Sequence, residues 1–108
     1  MSATMTSTPY PQSSPPSKTV KVLIKGRVQG VWFRRWTVDN ARLLGLSGWV
    51  RNRRDGSVEA VFSGKSDKVD EMAERRCRIG PSGATVTAIV ATPIDELPDP
   101  GFHLKYDD

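Results

Sequence analysis

Val20-Lys21-Val22-Leu23-Ile24-Lys25-Gly26-Arg27-Val28-Gln29-Gly30-Val31-Trp32-Phe33-Arg34 is the stretch on which the fold turns. Val20, Val22 and Ile24 alternate with Lys21 and Lys25, the period of two that marks a strand with one buried face. Beyond it Phe33, Thr37, Ala41 and Leu44 recur at helical spacing. This predicts a helix over 33–44 stopped by Gly45, with Leu46 packing inward behind the cap. Strand and helix are joined by a tight loop with two glycines, Gly26 and Gly30, where the backbone takes conformations most residues resist.

Two further strands follow over 47–52 and 57–63, joined around Arg53-Arg54-Asp55-Gly56. Asp-Gly between alternating runs is a strong hairpin signal. A second helix is expected over 66–79, with Ser66 as its N-cap and Val69, Met72, Ala73 and Cys77 on one face. Its acids Asp67, Asp70, Glu71 and Glu74 precede its arginines Arg75, Arg76 and Arg78, which suits the helix dipole, and Gly80-Pro81 ends it. A strand over 84–92, a proline-rich loop with Pro93, Pro98 and Pro100, and a short strand over 102–106 complete the chain. The order βαββαβ plus a short last strand is that of an α+β, ferredoxin-like split βαβ sandwich, an antiparallel sheet with two helices on one face.

The chain of 108 residues is long enough for one packed core. Residues 1–18 are dominated by Ser, Thr and Pro and read as a disordered tail, leaving a domain over 19–108. The one cysteine, Cys77, cannot form an intrachain disulfide and reads as a small core residue in a reducing, cytoplasmic setting. No apolar run is long enough for a membrane span, and no secretory signal opens the chain. The net charge of +4 is uneven. Between Val20 and Arg54 stand Lys21, Lys25, Arg27, Arg34, Arg35, Arg42, Arg51, Arg53 and Arg54, against the single acid Asp39. Such a field attracts anions.

The loop is where an anion would be held. Amides at the start of a helix have no intrahelical partner, and the dipole adds positive potential. Arg34 falls in the first helical turn, the unfavourable end for a cation unless an anion is present. Arg35, pointing elsewhere, reads as a surface charge. A second locus is Gly48-Trp49-Val50-Arg51-Asn52. There Asn52 could be a turn cap or an amide aimed at a water or a carbonyl, and Trp49 reads as core or helix-facing packing.

With both loci in view, the chain resembles the acylphosphatases from Val20 to Tyr106. Gly26-x-Val28-Gln29-Gly30-Val31-x-Phe33-Arg34 is similar to the first family signature. Gly48-Trp49-Val50-Arg51-Asn52, followed by Gly56-x-Val58 and Gly64, is similar to the second. The resemblance implies a phosphate bound by the backbone of Gln29, Gly30, Val31, Trp32, Phe33 and Arg34 together with the Arg34 side chain. Asn52 would position the attacking water. It implies hydrolysis of a small acyl phosphate to a carboxylate and inorganic phosphate, by a monomer that needs no metal or cofactor.

The residues agree by what they lack: a carboxylate pair near the loop, a metal-ligand cluster, and a histidine other than the distant His103, which reads as structural. No Walker-type Lys-Ser/Thr follows the loop. RNA binding, which this fold also serves, would need stacking aromatics on the central strands. The first strand has none and the third has only Phe62. An acylphosphatase-like module also opens a large hydrogenase maturation protein, but the zinc-finger cysteines of that protein are missing here. A phosphate-binding relic without turnover is the remaining alternative, against which both Arg34 and Asn52 weigh.

Overall fold

The structure, a computed structural model, describes residues 16–106; most of the expected tail, residues 1–15, lies outside the described residues. Strand β1 (Ser17–Arg27) leads into helix α1 (Phe33–Leu43), then strands β2 (Ser47–Asn52) and β3 (Val58–Lys65). A second helical stretch comprises α2 (Ser66–Asp70), a π-helical segment (Glu71–Arg76) and α3 (Cys77–Ile79), and strands β4 (Thr85–Pro93) and β5 (Phe102–Leu104) follow. The sheet order is β4-β1-β3-β2-β5. This is the expected α+β, ferredoxin-like arrangement.

The alternation in β1 places Val20, Val22 and Ile24 on one face with Val50 of β2 and Val58, Ala60 and Phe62 of β3. Both helices cover that face: Phe33, Val38 and Ala41 from α1, and Val69, Met72, Ala73 and Cys77 from the second stretch, join one buried cluster. The Leu46 amide donates to the Ala41 carbonyl and that of Gly45 to Arg42, both at 3.0 Å, so α1 ends in the Schellman turn the glycine predicted. Leu46 is buried behind it.

Several expectations need correction. The sheet is mixed, because β5 pairs parallel to β2. Strand β4 ends at the edge of the sheet from which β2 starts, so a chain crossing directly to the far side must run alongside β2 in the same sense. Strand β1 begins at Ser17, inside the stretch read as tail, because Ser17 and Lys18 pair with Lys65 and Gly64. Ser66 is no N-cap: Lys65 holds that position, and the Ser66 amide donates to the Pro16 carbonyl at 2.9 Å. The second helix is one continuous stretch, but its middle is a π segment. Residues five apart share a face in a π turn, so Met72 and Cys77 both reach the core, and Arg76 reaches Glu71 at 3.3 Å.

Trp49 faces away from the helices. Gly48 and Val50 are the buried positions of β2, so period-two alternation turns Trp49 to the opposite face. There Lys105 and Arg51 lie over its ring at 4.7 and 5.5 Å.

Candidate active site

Strands β1, β2 and β5 all run in one direction, since β1 and β2 are each antiparallel to β3 and β5 is parallel to β2. Their C-terminal ends therefore meet at one edge of the sheet, where the loop to α1, Asn52 and the residues after Leu104 converge. A cavity of about 430 Å³ opens there, lined by Val28, Gly30, Trp32, Phe33, Arg34, Arg35, Asn52, Leu104 and Tyr106. A larger, shallow hollow of about 1020 Å³ lies on the opposite face, against Trp49, Val61 and Leu97. It contains none of the helix-start amides, Arg34 or Asn52, so the smaller cavity is the candidate site.

The loop geometry follows from its glycines. Gly26 takes φ 127 where a Cβ would meet the Thr85 carbonyl at 2.1 Å, and Gly30 takes φ 76 in the loop itself. Trp32 is the one described non-glycine residue with positive φ, 64. It is the N-cap of α1 and makes no side-chain capping hydrogen bond, and no acid stands in the first helical turn. The positive end of α1 thus faces the cavity without a carboxylate of its own to answer it.

Arg34 is held from the far end of the chain. Its Nη1 donates to the Lys105 carbonyl at 3.2 Å, and its guanidinium lies 5.7 Å from the Tyr106 ring centroid. Asn52 shares the helix-covered side of β2 with Val50, two residues before it, which brings it to the cavity that Arg34 lines. Of the expected loop residues, Gly30, Trp32, Phe33 and Arg34 line the cavity, while Gln29 and Val31 do not. The Gln29 amide instead reaches the β2–β3 turn, and Val31 packs against the core. Arg35 sits at the cavity rim and ion-pairs with Asp39 at 3.6 Å.

Much of the sequence's positive charge is answered elsewhere. Glu59, buried on β3, takes Arg51 at 2.7 Å, Arg53 at 3.5 Å and Lys21 at 3.7 Å, and Arg42 donates to the Phe102 carbonyl at 3.0 Å. His103 is exposed and contacts the Pro100 carbonyl at 2.9 Å, outside the cavity. Cys77 is buried in the core, and that burial pushes its thiol pKa well up. Among the described residues no three His, Cys, Asp or Glu side chains converge as metal ligands, and no helix is long and apolar enough to cross a membrane.

Sequence reasoning missed the walls contributed by Leu104 and Tyr106, and the Lys105 carbonyl as the anchor of Arg34. No local pattern marks them, since their contact with the loop exists only once β5 is placed beside β2.

The acylphosphatase family model matches residues 20–104. The chain belongs to the acylphosphatase family. It is 51% identical over 88 residues to an acylphosphatase of Rhodospirillum rubrum, covering 82% of this chain and 96% of that one. It is 58% identical over 85 residues to one of Rhizorhabdus wittichii, covering 79% and 85%. An acylphosphatase structure from Coxiella burnetii superposes with a TM-score of 0.78 at 31% identity, over 82% of this chain and 93% of that one. Both family signatures lie within the matched span, and Arg34 from the first and Asn52 from the second line the cavity.

Proposed function

We propose that this acylphosphatase-family chain hydrolyses the carboxyl–phosphate bond of small acyl phosphates, and that the cavity at the start of α1 is where it does so. The observation that carries the assignment is the convergence of Arg34 and Asn52 on one cavity beside free helix-start amides. The backbone amides of Gln29, Gly30, Val31, Trp32, Phe33 and Arg34, with the Arg34 guanidinium, bind the phosphoryl oxygens. Asn52 orients a water for in-line attack on phosphorus. The water oxygen forms the new P–O bond, the bond to the acyl oxygen breaks, and the carboxylate leaves with its electron pair. The water's proton ends on phosphate or solvent.

This chemistry asks little of the protein. The leaving carboxylate has a conjugate-acid pKa of about 4, so it departs without a proton, and general acid catalysis is dispensable. What remains is positioning and stabilisation of charge on the phosphoryl oxygens, which amides and a guanidinium supply. The acyl end leans on Trp32, Leu104 and Tyr106. On this reading the chain acts as a monomer on a small acyl phosphate, with no nucleic-acid partner, and the lone thiol suits the cytoplasm.

The test is hydrolysis of benzoyl phosphate and acetyl phosphate by the purified chain, with and without chelator. Turnover indifferent to chelator is expected. Arg34→Ala loses phosphate inhibition and about 10²- to 10³-fold in kcat/KM. Asn52→Ala loses about 10²-fold or more in kcat while inorganic phosphate still inhibits competitively. Absence of acyl phosphate hydrolysis, or full rate in Asn52→Ala, sinks the assignment.

A further inference from the structure

Gln29 belongs to the loop, yet its side chain is turned away from the cavity and toward the β2–β3 hairpin. Its Nε2 donates to the Arg53 carbonyl at 2.7 Å and to the Ser57 carbonyl at 2.9 Å. The two acceptors flank the turn that begins immediately after Asn52. Ser57 also closes that turn, accepting from the Arg53 amide at 2.9 Å. One side-chain amide therefore grips both sides of the hairpin neck.

The position matters because β1 and β2 are not neighbours. Strand β3 lies between them, so the loop after β1 and the end of β2 are separated by two strand spacings, roughly 10 Å, with no ladder bonds between them. A primary amide suits the gap, since its two N–H groups can serve two carbonyls, whereas an ionised carboxylate offers only acceptors.

We propose that Gln29 is a positioning residue. Its side chain clamps the hairpin to the phosphate-binding loop and so sets the distance between the water held by Asn52 and the phosphorus held by the loop. The proposal rests on the roles given above to the loop and Asn52. The Gln29 side chain touches no reacting atom; it acts through Asn52, and its removal leaves the anion-binding backbone amides in place.

The experiment is a double-mutant cycle in the full chain, with kcat and KM for benzoyl phosphate, the inhibition constant of inorganic phosphate and the thermal midpoint measured for each variant. Gln29→Ala is expected to lower kcat about 10- to 100-fold, as a misplacement near 1 Å does, while the phosphate inhibition constant stays within about threefold. The double variant Gln29→Ala/Asn52→Ala should be no slower than Asn52→Ala alone, because a residue acting through Asn52 has nothing left to position. Gln29→Glu, nearly isosteric, should be as slow as Gln29→Ala when ionised. It should recover relative to the unmodified chain as the pH falls and its carboxyl regains a donor, a pH dependence that loss of packing does not produce.

Additive losses in the cycle overturn the proposal, as does unchanged kcat in Gln29→Ala or a parallel fall in phosphate affinity. If Gln29→Ala does not fold, the pH profile of Gln29→Glu decides, and a flat ratio to the unmodified chain overturns it. Failure of the underlying assignment reads differently: the unmodified chain is then inactive, or Asn52→Ala is fully active.

Discussion

Trp32 combines two unfavourable features, a left-handed backbone at φ 64 and ψ 25 and a ring that is 83% exposed. The conformation costs roughly 1–2 kcal/mol for an L-residue, and so little core contact offsets it. Strain kept at the mouth of a cavity is what a binding site tolerates. Trp32→Asn, which accepts this conformation more readily, should raise the unfolding free energy by about 1 kcal/mol in urea with an unchanged m value, while lowering kcat/KM for benzoyl phosphate. A gain in both properties would remove the ring from the site. At this scale Arg34 was legible beforehand, because a cation in the first turn of a helix conflicts with the dipole wherever the helix goes. Its hold on the Lys105 carbonyl was not, since that contact joins residues 71 apart in sequence.

The hairpin between β2 and β3 depends on Asp55, whose Oδ1 accepts from the Ser57 hydroxyl and, at 2.9 Å, from the Ser57 amide. Those two bonds hold its carboxyl below the ordinary 3.8, with smaller help from Arg53 and Lys25 against a desolvation effect of opposite sign. A folded-state pKa below the unfolded one means the stabilisation is full above 3.8 and is lost as the pH falls through the lower folded value. The stability difference between the unmodified chain and Asp55→Asn should thus be constant from about pH 5 to 8 and shrink only below the carboxylate range, read as urea midpoints against pH. A difference that already shrinks near neutrality would contradict it. Strand and helix periods were readable because each is set by close neighbours along the chain. The π segment was not, because Val69, Met72, Ala73 and Cys77 fit one face of an ordinary helix equally well.

For the molecule as a whole, Cys77 reports on the integrity of the core. It is fully buried, and its thiol is pushed far toward the neutral form, so an alkylating reagent should reach it only through unfolding. Native labelling by iodoacetamide should follow the unfolding equilibrium in urea, and saturating inorganic phosphate, which the proposed site holds only in the folded state, should slow it further. Labelling at the rate of a free thiol without denaturant would show that the second helical stretch is not docked as described. The sequence by itself determined the elements and their order, the buried face of β1, the glycine loop and the place of Arg34, because these depend on local periodicity, glycine backbone geometry and the helix dipole, while Asn52 stood out only through its likeness to the family signature. Tertiary structure alone decided the parallel docking of β5, the face taken by Trp49, the neutralisation of Arg51 and Arg53 by Glu59, and the Gln29 bridge to the hairpin. The β5 docking and the Gln29 bridge join segments that no local pattern relates, and both depend on the strand order and register that gather the C-terminal ends of β1, β2 and β5 at the same edge.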